Sequence, residues 1–171
     1  LLLFISVFLT NCSLKAEGSP MHHEFENWIH MEAKEENLDL VFSLENQDQM
    51  IIFIVDPNLS CDARLVYTNR GFEPKDFDVM SGETFDWKLS GQSYEGENAS
   101  RLNADGYVRW ELMSFYKHHF SKLEDLLSKR GQISFSINDP LNRFEKQEIE
   151  MKANGLSSAL NSALDTCQGW T

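Results

Sequence analysis

Leu38-Asp39-Leu40-Val41-Phe42-Ser43-Leu44 and, past the polar turn Asn46-Gln47-Asp48-Gln49, Met50-Ile51-Ile52-Phe53-Ile54-Val55 decide the fold class of this chain. In the first stretch Leu38, Leu40, Phe42 and Leu44 alternate with more polar neighbours, the period of a half-buried strand. The second is apolar throughout and too short for a buried helix, which predicts a strand covered on both faces. Upstream, Trp28-Ile29-His30-Met31 reads as a strand feeding the first stretch through the polar turn Glu35-Glu36-Asn37. The segment from Ser19 to Glu26 is polar and expected to be loosely held. Downstream, Pro57-Asn58 interrupts the chain before Cys61, and Arg64-Leu65-Val66-Tyr67 resumes as a strand.

Asn69 to Ser81 shows no single period. Thr84-Phe85-Asp86-Trp87-Lys88-Leu89 alternates again and predicts a strand, whereas Gly91 to Asn103, rich in glycine and polar residues, reads as a loop. Asp105-Gly106 is a turn signal before the strand Tyr107 to Leu112. Phe115, His119, Leu123, Leu126 and Leu127 then fall at helical spacing, with Gly131 as the stop. Gln132 to Ile137 and Phe144 to Met151 read as strands separated by the turn Asn138-Asp139-Pro140. Gly155 precedes a closing helix whose Leu156, Ala159, Leu160, Ala163 and Leu164 form an apolar stripe. Strands dominate and two helices come late, so the expectation is an α+β domain of mostly antiparallel sheet, sandwich-like, with one internal and one C-terminal helix.

The 171 residues carry a net charge of −12, with 42% apolar and 12% aromatic residues. Such a composition supports one packed domain and argues against disorder over most of the length. Its acidity repels nucleic acid and anionic lipid, and would steer a basic partner inward, although acidity is also an ordinary route to solubility. Leu1-Leu2-Leu3-Phe4-Ile5-Ser6-Val7-Phe8-Leu9 reads as the apolar core of a secretory signal without its basic head; it is too short to span a bilayer. Cleavage after Gly18 puts Ala16 at −3 and leaves 19–171 as the mature domain. The alternative is a lipid anchor at Cys12, for which Asn11 is a poor preceding residue. An exported chain meets an oxidising compartment, where Cys61 and Cys167 are expected to pair and tie the middle of the chain to its last helix. The address this implies is the periplasm, with a lipid-anchored or secreted form as alternatives.

Candidate chemistry is sparse. His22, His23 and His30, with His118 and His119, lack the convergent spacing that zinc demands and read as surface histidines. Asp76-Phe77-Asp78 fails the EF-hand pattern, since Met80 stands where an oxygen ligand is required. Glu24 with Glu26, and Glu145 with Glu148, are pairs in a chain too acidic for any pair to stand out. No serine lies in a G-x-S-x-G elbow. Asn98-Ala99-Ser100 is a glycosylation triplet that counts only in a eukaryotic source. Trp28, Trp87, Trp110 and Trp170 read as core or edge anchors. No catalytic residue, metal site or cofactor is expected.

Phe144, Ile149-Glu150-Met151, Gly155-Leu156-Ser157-Ser158-Ala159-Leu160, Cys167 and Trp170 together resemble the ending of several small disulfide-bonded bacterial envelope proteins. With Trp28, Cys61 and the W-x-x-S segment from Trp87 to Ser90, the chain is similar to type VI secretion accessory proteins of the TagO/VasI kind. The invasion-associated locus B proteins share the glycine–helix ending. The chain departs from the TagO/VasI pattern in its Cys-Gln-Gly-Trp spacing, and Arg64 and Arg70 do not complete that group's arginine–aspartate strand motif. The resemblance implies a non-catalytic periplasmic accessory protein with an envelope protein as partner, and Cys61, Cys167, Trp87 and Gly155 as structural positions. Two other functions stay open: an acidic inhibitor or immunity-type protein against a cationic hydrolase, and an enzyme acting on cell wall or small molecules.

Overall fold

A computed structural model of the chain describes residues 21–45, 48–70, 84–98, 100–104, 107–115, 131–142 and 145–169. Eleven strands are present there: β1 Met21–Phe25, β2 Trp28–Ala33, β3 Leu38–Ser43, β4 Gln49–Asp56, β5 Asp62–Arg70, β6 Thr84–Leu89, β7 Gln92–Asn98, β8 Ser100–Ala104, β9 Tyr107–Phe115, β10 Gln132–Asn138 and β11 Gln147–Lys152. A single 3₁₀ turn, Pro57–Leu59, and one α-helix, α1 Leu156–Gly169, complete the described elements. All strand pairs are antiparallel. A seven-stranded sheet runs β1-β2-β3-β4-β5-β9-β8, and a four-stranded sheet runs β11-β10-β6-β7.

The sheets share one core. Trp28, Val41, Ile51, Phe53, Val55, Leu65 and Tyr67 from the wide sheet meet Phe85, Trp87, Leu89, Ile133, Phe135 and Ile137 from the narrow one. The Tyr67 and Phe135 rings, 4.8 Å apart, cross the interface. Helix α1 lies against β1, β2, β3 and β4. It buries Leu156, Ala159, Leu160, Ala163 and Cys167 in the same core, the stripe expected from its spacing. The continuous run in β4 behaves as read. Ile51, Phe53 and Val55 enter the shared core, while Ile52 and Ile54 join Val66 on the other face.

Cys61 and Cys167 are joined, with their Cα atoms 5.9 Å apart and a sequence separation of 106. Cys61 stands one residue ahead of β5, in the turn that follows the 3₁₀ segment, so the clasp grips a strand's entry instead of its middle. Both Ser60 and Cys61 have left-handed φ of 59°. That bend, closed by the Cys61 N–H to Asp56 O bond, aims the sulfur at α1.

Several expectations need correction. Residues 21–25 form β1, because the hairpin at Glu26-Asn27 folds them back onto β2 with Phe25 packed against the core. Gly91 to Asn103, read as a loop, contains β7 and β8. Each takes its backbone bonds from a strand with its own apolar pattern, β6 or β9, and stands last in its sheet, where charged residues are tolerated. Ser90 and Gly91, both with positive φ, make the two-residue turn between β6 and β7. Phe115, assigned to the start of an internal helix, ends β9; the rest of that helix, at 116–130, lies outside the described residues. So do the leader, Cys12, residues 71–83 with the calcium-like stretch, His118, His119 and Trp170.

One pair of bonds joins the sheets at their margins. The Trp28 indole N–H donates to Lys152 O at 2.9 Å, and the Lys152 N–H donates to Glu45 Oε2 at 2.8 Å. Backbone groups that β11 would turn to solvent are thus taken up by side chains of the opposite sheet. The Lys152 N–H holds the Glu45 carboxyl below its ordinary pKa. Trp28→Phe removes the donor and part of the buried ring, and should cost about 2–4 kcal/mol of stability in urea unfolding. A Trp28→Phe protein as stable as the parent would show that neither the bond to Lys152 nor the full indole volume matters.

Candidate functional site: a buried Ser162–His30–Asp39 chain

Strand periodicity puts Trp28, His30 and Glu32 on one face of β2, the face that carries Trp28 into the core. On β3 the matching face carries Asp39, Val41 and Ser43, all buried, and Glu32 and Asp39 are direct cross-strand partners. Helix α1 lays Ser162 over this corner. The His30 ring is then held at both nitrogens. Nε2 lies 2.7 Å from Asp39 Oδ1 and Nδ1 lies 2.9 Å from Ser162 Oγ. With the ring neutral, the carboxylate fixes the tautomer. Nε2–H donates to Asp39, and the Ser162 hydroxyl donates to Nδ1.

His30 and Asp39 have no exposed surface, and Ser162 is half-buried. Asp39 Oδ2 is buried without a hydrogen-bond partner among the described residues. Burial, against the opposing pull of His30, raises the Asp39 pKa above its ordinary value, and the Glu32 charge adds to the rise. Towards solvent, His23 of β1 stacks on His30, ring centroids 5.6 Å apart, and its Nε2 lies 3.5 Å from Glu32 Oε1. Lys34 Nζ reaches the other Glu32 oxygen at 3.5 Å. A polar file therefore runs from an exposed histidine to a half-buried serine.

The connectivity is that of a Ser-His-Asp triad with the two ring nitrogens exchanged. A hydroxyl donating to an imidazole that is oriented by a carboxylate is the arrangement that activates a nucleophile. Acyl transfer also needs donors aimed at the developing oxyanion. Ser162 lies within α1, where backbone N–H groups bond the carbonyl four residues back, and Ser162 O accepts from Thr166 Oγ1 at 3.1 Å. The base, His30, has no surface from which a substrate could be reached. The file is built as a staple between sheet and helix.

Of the residues singled out in the sequence, Trp28, Trp87, Cys61 and Cys167 are brought into one core, and Gly155 turns the chain into α1. His22 and His23 are exposed as expected; His30, grouped with them as a surface residue, is fully buried because Asp39 and Ser162 satisfy both its nitrogens. Glu24 and Glu26, and Glu145 and Glu148, are exposed and do not converge. Among the described residues no group of three or more His, Cys, Asp or Glu is placed to hold a metal ion, and no helix is long and apolar enough to cross a membrane. Sequence reading missed Asp39 and Ser162. The available signal was the period-2 link from Trp28 to His30, carried across the hairpin to Asp39. Comparison with protein-family profiles, curated proteins and solved structures returns no match for this chain.

Proposed function

We propose that the chain is an exported, non-catalytic accessory or binding protein of a Gram-negative cell envelope, acting through protein–protein contacts in the periplasm. The observation that supports it is the Cys61–Cys167 bond, buried inside the core, since structural disulfides persist in oxidising compartments outside the cytoplasm. The resemblance to TagO/VasI accessory proteins points the same way and would make the partner a component of secretion machinery. Crosslinking in intact cells, followed by affinity capture of the full chain and mass spectrometry, tests it. Co-recovery with envelope proteins is expected, and recovery of the chain alone would count against an accessory role.

The net charge of −12 favours a second reading, an inhibitor that caps a cationic hydrolase. Its signature is binding to a basic hydrolase that weakens steeply between 50 and 200 mM salt. Binding indifferent to salt removes it. Ser162 supplies the check on catalysis. A fluorophosphonate probe, which labels activated serines, should leave the folded protein unlabelled. Stoichiometric labelling that Ser162→Ala abolishes would replace both readings with a hydrolase.

A further inference from the structure

We propose that the Asp39–His30–Ser162 file, with His23 at its mouth, is a proton-operated latch that sets how firmly α1 is docked on the β1–β2–β3 corner. The geometry that carries this is a charge imbalance in a closed space. Glu32 and Asp39 face one another across adjacent strands, one nearly and one wholly buried, with one Asp39 oxygen unpartnered among the described residues. Two carboxylates so placed repel each other, and among the described residues the groups able to offset them are two imidazoles and the exposed Lys34. When both rings are neutral the corner carries excess negative charge against the underside of the helix. Uptake of a proton by the Asp39–His30 pair removes that excess and leaves the buried chain without net charge.

Among the described residues few titratable groups face His30. β1 offers His23; β2 offers Glu32; β3 offers Asp39; β4 offers the apolar Val55 opposite Asp39; α1 offers Ser162 and Thr166, with Asp165 exposed on its flank. The sign follows from the direction of the Asp39 shift. A carboxyl whose folded pKa is raised binds more protons in the docked state than in the open one. Its contribution is fully present below the ordinary value of 3.8 and is lost as pH rises through the raised one. Docking is therefore tighter on the acid side of the Asp39 titration and looser above it. The disulfide keeps the far end of α1 tethered, so the latch can open locally without unfolding the sandwich.

The test is amide hydrogen exchange along α1 in the oxidised full chain from about pH 3.5 to 8, corrected for intrinsic exchange, a range that starts below the ordinary Asp39 value of 3.8. Exchange in β11, whose Lys152 N–H is bonded to Glu45, reports any change at that second carboxyl. In the parent protein the opening constant of α1 should rise with pH, by up to about tenfold per unit, the limit for one linked proton. Asp39→Asn should flatten that slope while β10 and β11 keep theirs. His23→Gln should move the midpoint and leave the slope. An unchanged slope in Asp39→Asn, or a slope lost in His23→Gln but kept in Asp39→Asn, overturns the proposal. A measurement on the parent protein alone guards against a variant that folds poorly. The Asp39 carboxyl carbon shift should follow the same midpoint as α1 opening, and a shift that stays fixed while the opening constant changes would equally overturn it.

Discussion

Replacing both Cys61 and Cys167 by serine should lower stability by about 4–5 kcal/mol, the chain-entropy value for a loop of this length. The bond spans 106 residues, and without it the unfolded chain regains the freedom that the closed loop denied it. Typical domains hold only about 5–15 kcal/mol in reserve, so the loss takes a large share of the total. Two further costs add to the entropic one. The serine hydroxyls would sit where the sulfurs were wholly enclosed, and the left-handed turn at Ser60-Cys61 would lose the crosslink that closes on it. Urea unfolding under oxidising conditions reads the effect. The midpoint of the double variant should fall by about 2–2.5 M, taking a slope of about 2 kcal/mol per M. A fall worth under about 1 kcal/mol would mean that the core holds α1 unaided. Because both sulfurs are enclosed, the parent's bond should also resist reductant until the domain opens.

Gly155→Ala should cost about 2–5 kcal/mol and depress the melting temperature by about 5–20 °C. At φ +88° this residue adopts backbone that an L side chain enters at a cost of about 1–2 kcal/mol. A Cβ there would fall 1.9 Å from Phe25 O and 2.7 Å from Phe25 C. Those atoms are main chain in β1 and cannot swing away as a side-chain tip could. Either the β1–β2 hairpin or the start of α1 must shift, and with it the alignment of Ser162 over His30. Gly131→Ala is the internal control: φ is +64° but nothing lies within 4 Å of its Cβ position. It should lose only the backbone term. Equal losses at the two positions would show that the contact with Phe25 carries no weight.

The β4 run was legible because six consecutive apolar residues leave no polar face, and its two faces do enter two clusters. The stripe on α1 was legible for the same reason, since Leu156, Ala159, Leu160 and Ala163 recur at helical spacing and face the core. β3 shows where such reading stops. Its alternation is real, yet the side turned into the shared core carries Asp39, Val41 and Ser43, while Leu38, Leu40 and Phe42 lie half-buried on the opposite face. A pattern that scores polar residues as outward must turn this strand over. Asp39 tolerates the interior because His30 bonds it there while Ser162 holds the other nitrogen of that ring, and the two come from a neighbouring strand and from a helix more than a hundred residues away. Pairwise compensation across such distances leaves no periodic trace in the chain. β7 and β8 were missed for a related reason, since an outermost strand draws its bonds from its neighbour's backbone.

The first five strands pair strictly in chain order, each with the next. Such neighbour-to-neighbour zippering is local, so most of the wide sheet can assemble before the remaining strands and α1 have docked. Until they do, Trp28, Phe53, Leu65 and Tyr67 present a sticky, uncovered surface with neither the narrow sheet nor the helix to shield it. The chain is thus most prone to self-association in this half-built state, and a chaperone at the site of folding would act by cradling that sheet.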